Sequence, residues 1–353
     1  MVVPTGVGCR VGGHAGDALP AARLLAAASG CLITHPNVLN AAALYWSDPR
    51  LHYVEGWALN RFAAGDLALA PGRRQRVGLV LDAAIEEPLR LRHLQVVQAC
   101  GASLGLAMGP TVTTEEPLGV GLAWGTSGTS WGTLQAPGAL LRAGERVLGG
   151  GATAIAVVAR FPDDPSSEAL AAYRLGEGVD GLAGAEAVIS HLLSRHLRVP
   201  CAHAPALAAL EPDPRVDPRA AAEELGHTFL PCVLVGLSRA PDLVPVDGIA
   251  AHGGSPLLRA EQLGAVVAPA GALGGEAVLA CAERGVPVIS VRGNPCVLQV
   301  DGAALGLPVV EVASYGEAAG LVLALREGLA LETAALRADP LTEAGDQRKQ
   351  AMG

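Results

Sequence analysis

Short runs of β-branched and other apolar residues recur along the chain, each followed by a polar or glycine-rich corner and a stretch rich in Ala and Leu. Several runs are apolar without alternation, as expected for strands covered by helices on both faces. This order of elements predicts an α/β fold of mostly parallel sheets with helices on both faces. The predicted strands are 2–3, 31–34, 77–81, 154–159, 199–202, 232–237, 265–269, 286–291 and 309–313. The predicted helices are 16–29, 91–100, 182–196, 218–226, 274–285 and 315–328.

A stretch rich in Pro, Asp and Gly over residues 240–256 predicts a domain boundary near 245–262. We therefore predict two subdomains. Residues 1–245 form the main α/β domain, with a polar cleft at its strand ends, and residues 260–330 form a smaller C-terminal α/β subdomain. Polarity rises after about residue 330, so residues 331–353 are predicted to be a flexible tail.

Composition and charge exclude several classes of protein. Hydrophobic residues make up 50% of the chain and charged residues 17%, which excludes a disordered chain. The net charge of −9, with no basic stripe, predicts no nucleic-acid partner. No apolar run reaches the roughly 18 to 20 residues of a spanning helix, and the N-terminus lacks a signal-peptide pattern, so no membrane partner is predicted. Seven cysteines without a CxxC pair fit reduced thiols and a cytoplasmic location. The oligomeric state stays open, a homo-oligomer included.

Polar and charged residues follow one predicted strand after another at its carboxyl end. Ligands of open parallel sheets bind at that end, where loops and helix N-termini converge, so the series predicts a polar cleft. Each residue taken alone also suits an ordinary turn or cap. The candidates for acid/base catalysis are His35, Asp82, Asp163 and His203, and the candidates for substrate binding at the strand ends are Asn37, Arg160, Ser238, Arg239 and Asn294.

The stretch His-Pro-Asn at 35–37 ends the second predicted strand. Pro36 restricts His35 to an extended conformation, and Asn37 is predicted to cap a helix that starts at Val38. His35 is then not needed for the turn, which favours a role toward a ligand.

Two glycine-rich segments can present backbone amides to an anion. The loop 4–26 carries glycines before an Ala/Leu helix, and we predict that Gly13 and Asp17 bind substrate there, although Asp17 equally suits a helix N-cap. In the second segment, residues 125–133, "GTSWG" fits GxSxG, and Asp163 or Asp164, followed by His203, completes the residue order of an α/β-hydrolase. Because that elbow requires a helix directly after the serine, which Pro137 postpones, we favour a phosphate or carboxylate cradle that includes Ser127 and Ser130.

Two other groupings leave alternatives open. Arg160, beside the carboxylates of "ARFPDD", can clamp a substrate carboxylate or phosphate, or can form a local ion pair in an exposed turn. Cys201 and His203 lie two apart on one side of an extended segment, as a zinc or thiol–imidazole pair would, but Cys201 also suits a buried apolar position. A metal site usually has three or four ligands, and the sequence does not select the others. The metal and the cofactors are therefore unknown.

Long motifs in the chain resemble a known family. "LITHPNVLNAAALYW", "YVEGWAL", "TSGTSWGT", "AIAVVARFPDD" and "GVDGLAGAEAVISHLL" are similar to DUF3326, a family of unknown function found widely in photosynthetic lineages. The resemblance spans about residue 2 to residue 330. It implies no reaction, but it implies that the strand-end residues belong to family motifs and favours a shared site. These residues include His35, Asn37, Arg160, Asp163, His203, Ser238 and Arg239.

We therefore predict an enzyme that acts on a small anionic metabolite by acid/base chemistry, of the isomerase, hydrolase or lyase type. The Gly/Ser/Thr loop and Arg160 or Arg239 would hold the anion. The alternative is a non-catalytic protein that binds a metabolite or a nucleotide in the same cleft. A third interpretation is a complex subunit whose polar corners only turn the chain.

Overall fold

A computed structural model describes residues 1–4, 14–40, 44, 47–72, 74–126, 128–162, 164, 167–224, 229–251 and 256–329. The strands are β1 (Val2–Val3), β2 (Leu32–Thr34), β3 (Leu51–Tyr53), β4 (Leu67–Ala70), β5 (Val77–Leu81), β6 (Met108–Thr113), β7 (Val120–Trp124), β8 (Ser130–Leu134), β9 (Ala154–Arg160), β10 (Cys201–Ala206), β11 (Asp242–Pro245), β12 (Val266–Ala272), β13 (Val288–Val300) and β14 (Val310–Val312). The helices are α1 (Leu19–Ser29), α2 (Pro36–Leu39), α3 (Gly56–Ala64), α4 (Glu87–Leu104), α5 (Pro137–Gly149), α6 (Glu168–Arg174), α7 (Ala183–Leu197), α8 (Pro218–Glu223), α9 (Leu230–Ser238), α10 (Glu276–Glu283), α11 (Gly302–Leu305) and α12 (Tyr315–Arg326).

Two parallel sheets form the framework, which confirms the predicted α/β class. The larger sheet has six parallel strands in the order β14-β13-β12-β1-β2-β3. It joins the first strands of the chain to the last ones. The predicted regions 1–245 and 260–330 therefore both contribute strands to one sheet, and their division into separate subdomains stays a prediction. The predicted tail, 331–353, lies outside the described residues.

The smaller sheet has four parallel strands in the order β10-β9-β5-β6. Two antiparallel pairs, β4 with β11 and β7 with β8, accompany the parallel sheets. The β7–β8 hairpin packs against α7, and this contact positions one wall of the site described below.

One apolar core joins the facing sides of the two sheets, and α9 packs within it. It includes Val3, Leu32 and Ile289 from the larger sheet, Leu79, Ala156 and Ala204 from the smaller sheet, and Leu230, Val233 and Leu237 from α9. The opposite face of the larger sheet packs against α3 and α10, and that of the smaller sheet against α5 and α7. Both sheets are thus covered on two faces, as unbroken apolar strands require.

The predicted strand at 232–237 is wrong, because this segment forms α9. The helix is buried nearly all round, so its sequence lacks the polar face that marks a surface helix. A short continuous apolar run fits a buried strand and a buried helix equally well. Pro231, in the first turn of α9, is a signal for a helix start that the apolar run obscured.

Candidate functional site

A cavity of about 920 Å³ lies where β2 of the larger sheet and β10 of the smaller sheet end. Its wall is formed by the residues that follow these strands, by the first turns of α7 and by parts of β7, α6, α8 and α9. Most of the wall is apolar, with a small number of convergent polar groups, which is the usual character of a small-molecule site.

His35 enters the cavity wall directly after β2. Its backbone is extended before Pro36, and its Nδ1 accepts the backbone N–H of Asn37 at 3.2 Å. The proton of the neutral ring must then be on Nε2. Burial lowers the pKa of His35 to about 4, so the ring is neutral at pH 7 and presents a hydrogen-bond donor. The prediction that Asn37 caps α2 is wrong, and so is the expectation that the turn does not need His35, because the imidazole of His35 is the cap.

A Glu–His pair with a buried carboxylate lies next to His35. Glu55 caps α3, where its Oε2 accepts the backbone N–H of Trp57 at 2.8 Å, and its Oε1 pairs with Nδ1 of His191 on α7. Burial raises the pKa of Glu55, but the hydrogen bond from His191, the charges of His191 and His35 and the backbone N–H of Ala58 together hold the pKa below its usual range. Burial lowers the pKa of His191, but the hydrogen bond to Glu55, the charge of Glu55 and the backbone of Ala187 together raise the pKa overall. The pair therefore places a charged carboxylate and a basic imidazole next to His35.

Gly56 explains how the two imidazoles come so close. A Cβ atom at this position would lie 2.8 Å from Cε1 of His191 and 3.1 Å from Nε2 of His35. Both distances are shorter than ordinary van der Waals contact. Only a residue without a side chain fits beneath the two rings in this arrangement.

A second Glu–His pair lies in the cavity wall itself. Nε2 of His203 is 3.4 Å from Oε2 of Glu186, and Nδ1 of His203 is 3.2 Å from the hydroxyl of Ser190. Glu186 and Ser190 are four residues apart on α7 and therefore share one face of the helix. The side chains of His203 and Glu186 are 13% and 16% exposed, so the pair is largely shielded yet open to a ligand.

Two more carboxyl groups line the same cavity. Asp180, in the turn before α7, accepts the backbone N–H of Leu182 at 2.8 Å. Glu223, at the end of α8, accepts the hydroxyl of Tyr173 at 2.8 Å and the backbone N–H of Ala15 at 3.0 Å. Burial, together with a neighbouring acid, raises the pKa of Asp180 to about 7 and that of Glu223 to about 8. With pKa values in the neutral range, these groups can give a proton to a ligand or take one from it near pH 7.

Comparison with known proteins places this chain in a family. A family described as "Protein of unknown function (DUF3326)" matches residues 1–335, essentially the whole chain. The chain belongs to the DUF3326 family. It is 54% identical over 329 residues to a protein of Synechococcus sp. (strain ATCC 27144 / PCC 6301 / SAUG 1402/1) named an uncharacterized lipoprotein, covering 93% of this chain and 90% of the relative. No solved structure matches this chain. In the part of the chain that the structure describes, every helix is too short or too polar to cross a membrane.

Three of the residues predicted from sequence line the cavity of this DUF3326 chain: His35, Asn37 and His203. The backbone carbonyl of Asn37 also accepts the N–H of Gly16, which ties α2 to the segment before α1. Three other predicted residues, Gly13, Ser127 and Asp163, lie outside the described residues. The predicted catalytic and binding roles of all six remain proposals.

The GxSxG segment has a structural explanation in this fold. Ser130 donates from its hydroxyl to the backbone carbonyl of Asp180 at 2.8 Å and accepts the backbone N–H of Gly184 at 3.2 Å. A Cβ atom on Gly132 would lie 2.2 Å from Cβ of Ala185, so its glycine permits close packing of β8 on α7. Ser130 begins a hairpin strand and is not followed directly by a helix, unlike the serine of a hydrolase elbow.

Asp82 and Arg160 are engaged outside the cavity. The Asp82 carboxylate is fully buried and accepts three backbone N–H groups, from Ala84, Leu118 and Arg160, at 3.0 to 3.1 Å. The Arg160 guanidinium pairs with Glu86 at 2.9 Å and donates to the carbonyl of Phe161. Both side chains hold β5 and β9 to the loops that follow them.

Four further predicted residues also lie away from the cavity wall. Ser238 donates to the carbonyl of Val235 at the end of α9, and Arg239 follows it on the exposed surface. Asp17 accepts the backbone N–H of His14, and Asn294 donates to the hydroxyl of Tyr315. The helix N-cap before α1 is Ala18, so Asp17 does not serve as the predicted cap.

The described residues contain no group of three or more His, Cys, Asp or Glu side chains arranged to hold a metal ion. Cys201 is buried, its thiol donates to the carbonyl of Val199, and burial raises its pKa. A thiol that resists ionisation is a poor metal ligand or nucleophile. Cys201 therefore packs as a small apolar residue beside His203.

Proposed function

We propose that this protein is an enzyme that moves a proton on a small metabolite bound in the cavity. The observation that carries the proposal is the Glu186–His203 pair, at 3.4 Å, in the wall of a 920 Å³ cavity that also contains the neutral ring of His35. A carboxylate beside an imidazole is a common arrangement for general acid/base catalysis, because it favours proton uptake by the ring.

The surrounding groups suit the two ends of a proton transfer. The Glu186–His203 pair would take a proton from the ligand, and the Nε2–H group of His35 would donate to an oxygen on which negative charge develops. Asp180 and Glu223, which hold protons near neutral pH, would return a proton. Return to another atom of the ligand gives an isomerase, and return to a leaving group gives a lyase. A water molecule as the attacking group gives a hydrolase.

Deuterium uptake tests the proposal without a known substrate. The protein is incubated in D₂O with the small-molecule fraction of a Synechococcus extract, and each compound is followed by mass spectrometry. We expect at least one compound to take up deuterium with the wild type and to do so at least about 100-fold more slowly with His203→Asn or Glu186→Gln, since acid/base catalysis contributes about 10²- to 10⁴-fold.

The chain offers a matched control for these variants. His196 and Glu145 form a Glu–His pair of the same chemistry at 3.1 Å, but both are exposed on the surface. The His196→Asn variant is expected to catalyse deuterium uptake at the wild-type rate. Exchange that is equal in His203→Asn and wild type, or a wild type that neither exchanges nor converts any compound, overturns the enzyme proposal. Binding of a compound without exchange favours the alternative, a non-catalytic binding protein.

A cytoplasmic location is also part of the proposal. It is supported by the six cysteines among the described residues, which are all free thiols. The name of the Synechococcus relative, lipoprotein, favours a lipid anchor on the membrane instead. Cell fractionation decides between the two. The chain is expected in the supernatant after membranes are sedimented, and release from the pellet by detergent alone would overturn this part of the proposal.

A further inference from the structure

The polar part of the cavity carries an excess of acids. Asp180, Glu186 and Glu223 all line it, and each lies close enough to another of the three to interact electrostatically. Their partners are backbone N–H groups, the hydroxyl of Tyr173 and the imidazole of His203. Within the described ranges, no Lys or Arg forms an ion pair with any of the three.

The arginines of the cavity wall do not offset these acids. Arg174 pairs with Glu224 at 3.0 Å, and Arg215 pairs with Asp213 at 2.8 Å. Each guanidinium is therefore matched by its own carboxylate. Arg160, predicted to bind an anion, pairs with Glu86 away from the cavity. Among the described residues, the three acids have no basic partner except His203, so the cavity suits a cation, which can displace the protons of Asp180 and Glu223, better than an anion.

A second observation concerns a donor rather than an acid. Nδ1 of His35 is occupied by the backbone N–H of Asn37, and no described residue hydrogen-bonds to Nε2. His35 lines the cavity, and its Nε2 lies beside Gly56. A donor without a protein partner in a ligand-sized cavity requires an acceptor atom from the ligand or from water.

From these two features we propose that the cavity binds a small amine that also carries a carbonyl or hydroxyl oxygen. The ammonium group would lie among Asp180, Glu186 and Glu223, and the oxygen would accept from Nε2 of His35. The apolar wall, which includes Leu122, Leu170 and Leu182, would cover the carbon chain between them. This inference rests on the proposed function, because it names the class of substrate for the same site, and it replaces the anionic metabolite expected from the sequence.

Three probes of similar size isolate the charge of the ligand. 4-Aminobutanamide carries an ammonium and an amide oxygen, pentanamide carries the oxygen alone, and succinamate carries a carboxylate in place of the ammonium. Binding is measured by isothermal titration calorimetry at pH 6.5. We expect the amine to bind at least about tenfold more tightly than the other two, as one hydrogen bond to a charged group contributes.

Variants connect the binding to the acids. Glu186→Gln and Glu223→Gln are each expected to weaken amine binding about tenfold or more and to leave pentanamide binding unchanged. Glu145→Gln, which alters the surface Glu–His pair, is the matched control and is expected to bind the amine like the wild type. Thermal melting verifies that each variant is folded, and the two variants are judged separately.

A proton balance gives an independent measurement. An ammonium that lies among the acids favours their ionised forms, so amine binding is expected to release protons, detected by titration in buffers of different ionisation enthalpy. Preference for succinamate, equal or absent binding of all three probes, or unchanged amine affinity in both Gln variants overturns the inference. Deuterium exchange on a compound without an amine supports the enzyme proposal and contradicts the amine ligand. Amine binding without any exchange supports the amine ligand and contradicts the enzyme proposal.

Discussion

Asp82 provides a direct test of whether a strand-end carboxylate acts on a ligand or on the fold. It was a candidate for acid/base catalysis, yet its carboxylate is fully buried and accepts the backbone N–H groups of Ala84, Leu118 and Arg160. Asp82→Asn has nearly the same shape. Its amide oxygen can keep the two bonds made by Oδ1, but its NH₂ group then faces the N–H of Arg160, which loses its acceptor.

The expected loss in the free energy of unfolding follows from the number of hydrogen bonds that each variant removes. A hydrogen bond to a charged group contributes about 1.5–3 kcal/mol, so Asp82→Asn is expected to lower the free energy of unfolding by about 2–4 kcal/mol. Asp82→Ala removes all three acceptor contacts and is expected to cost about 4–6 kcal/mol, a large part of the roughly 5–15 kcal/mol that stabilises an ordinary domain. Any loss of deuterium exchange should then follow the loss of folded protein.

Urea unfolding at pH 7, followed by circular dichroism, measures the change as a lower midpoint with an unchanged slope. Asp301→Asn is the control. Asp301 caps α11 with one exposed bond to the N–H of Ala304, and Asn is an equally good cap, so stability should not change. If Asp82→Asn unfolds like the wild type but abolishes deuterium exchange, the carboxylate acts on the ligand and the structural explanation fails.

Three further predictions concern the surroundings of the site. Gly56→Ala is expected to displace His35 or His191, lowering stability by about 1–3 kcal/mol in urea unfolding and slowing exchange; an unchanged rate would show that neither ring position matters. Ser130→Ala removes two hydrogen bonds and is expected to cost about 1–3 kcal/mol, with exchange per folded molecule retained, whereas a serine nucleophile would lose all turnover. The Glu55–His191 pair makes stability depend on pH. Because folding raises the pKa of His191 above 6.5, its stabilisation of the folded state is complete below pH 6.5 and is lost as pH rises through the folded pKa. Because folding lowers the pKa of Glu55 below 4.5, its stabilisation is present above pH 4.5 and is lost as pH falls through the folded pKa. Glu55→Gln should therefore destabilise the protein more at pH 5.5 than at pH 8.5, and an equal effect at both would contradict the pairing.

The parallel framework could be predicted from sequence because its strands are short unbroken runs such as 77–81 and 154–159, which form β5 and β9. Two features of the fold could not be predicted from the sequence. The apolar run of α9 has no polar face, so its period does not separate helix from strand. The pairing of the first and last strands in one sheet depends on contacts between residues far apart in the chain, and no local pattern encodes it.

Part of the site could also be predicted from the sequence, because some of its residues are placed by the parallel strands. His35 follows β2, so the rule for strand ends locates it. His203 was expected after a strand that ends at 202, but β10 continues to Ala206, so His203 lies inside the strand. Glu186 lies on a helix, and Asp180 and Glu223 lie in a turn and at a helix end, so that rule does not reach them. The four-residue spacing of Glu186 and Ser190 is the one local signal that the sequence offered for this wall, and it equally fits the polar edge of a surface helix.

The Glu55–His191 pair beside His35 and the Glu186–His203 pair in the cavity wall differ, and this difference assigns different tasks to His35 and His203. Glu55 is almost fully buried and neutralised by His191, so its charge only partly offsets the burial of His35, whose pKa stays at about 4. His35 is therefore held as a neutral donor over the whole range from pH 5 to pH 8. His203 has its own carboxylate partner in the cavity, where a ligand can reach both. A cavity with a neutral donor on one side and a carboxylate–imidazole pair on the other can polarise a bound molecule and move its proton without a change in the charge of the donor.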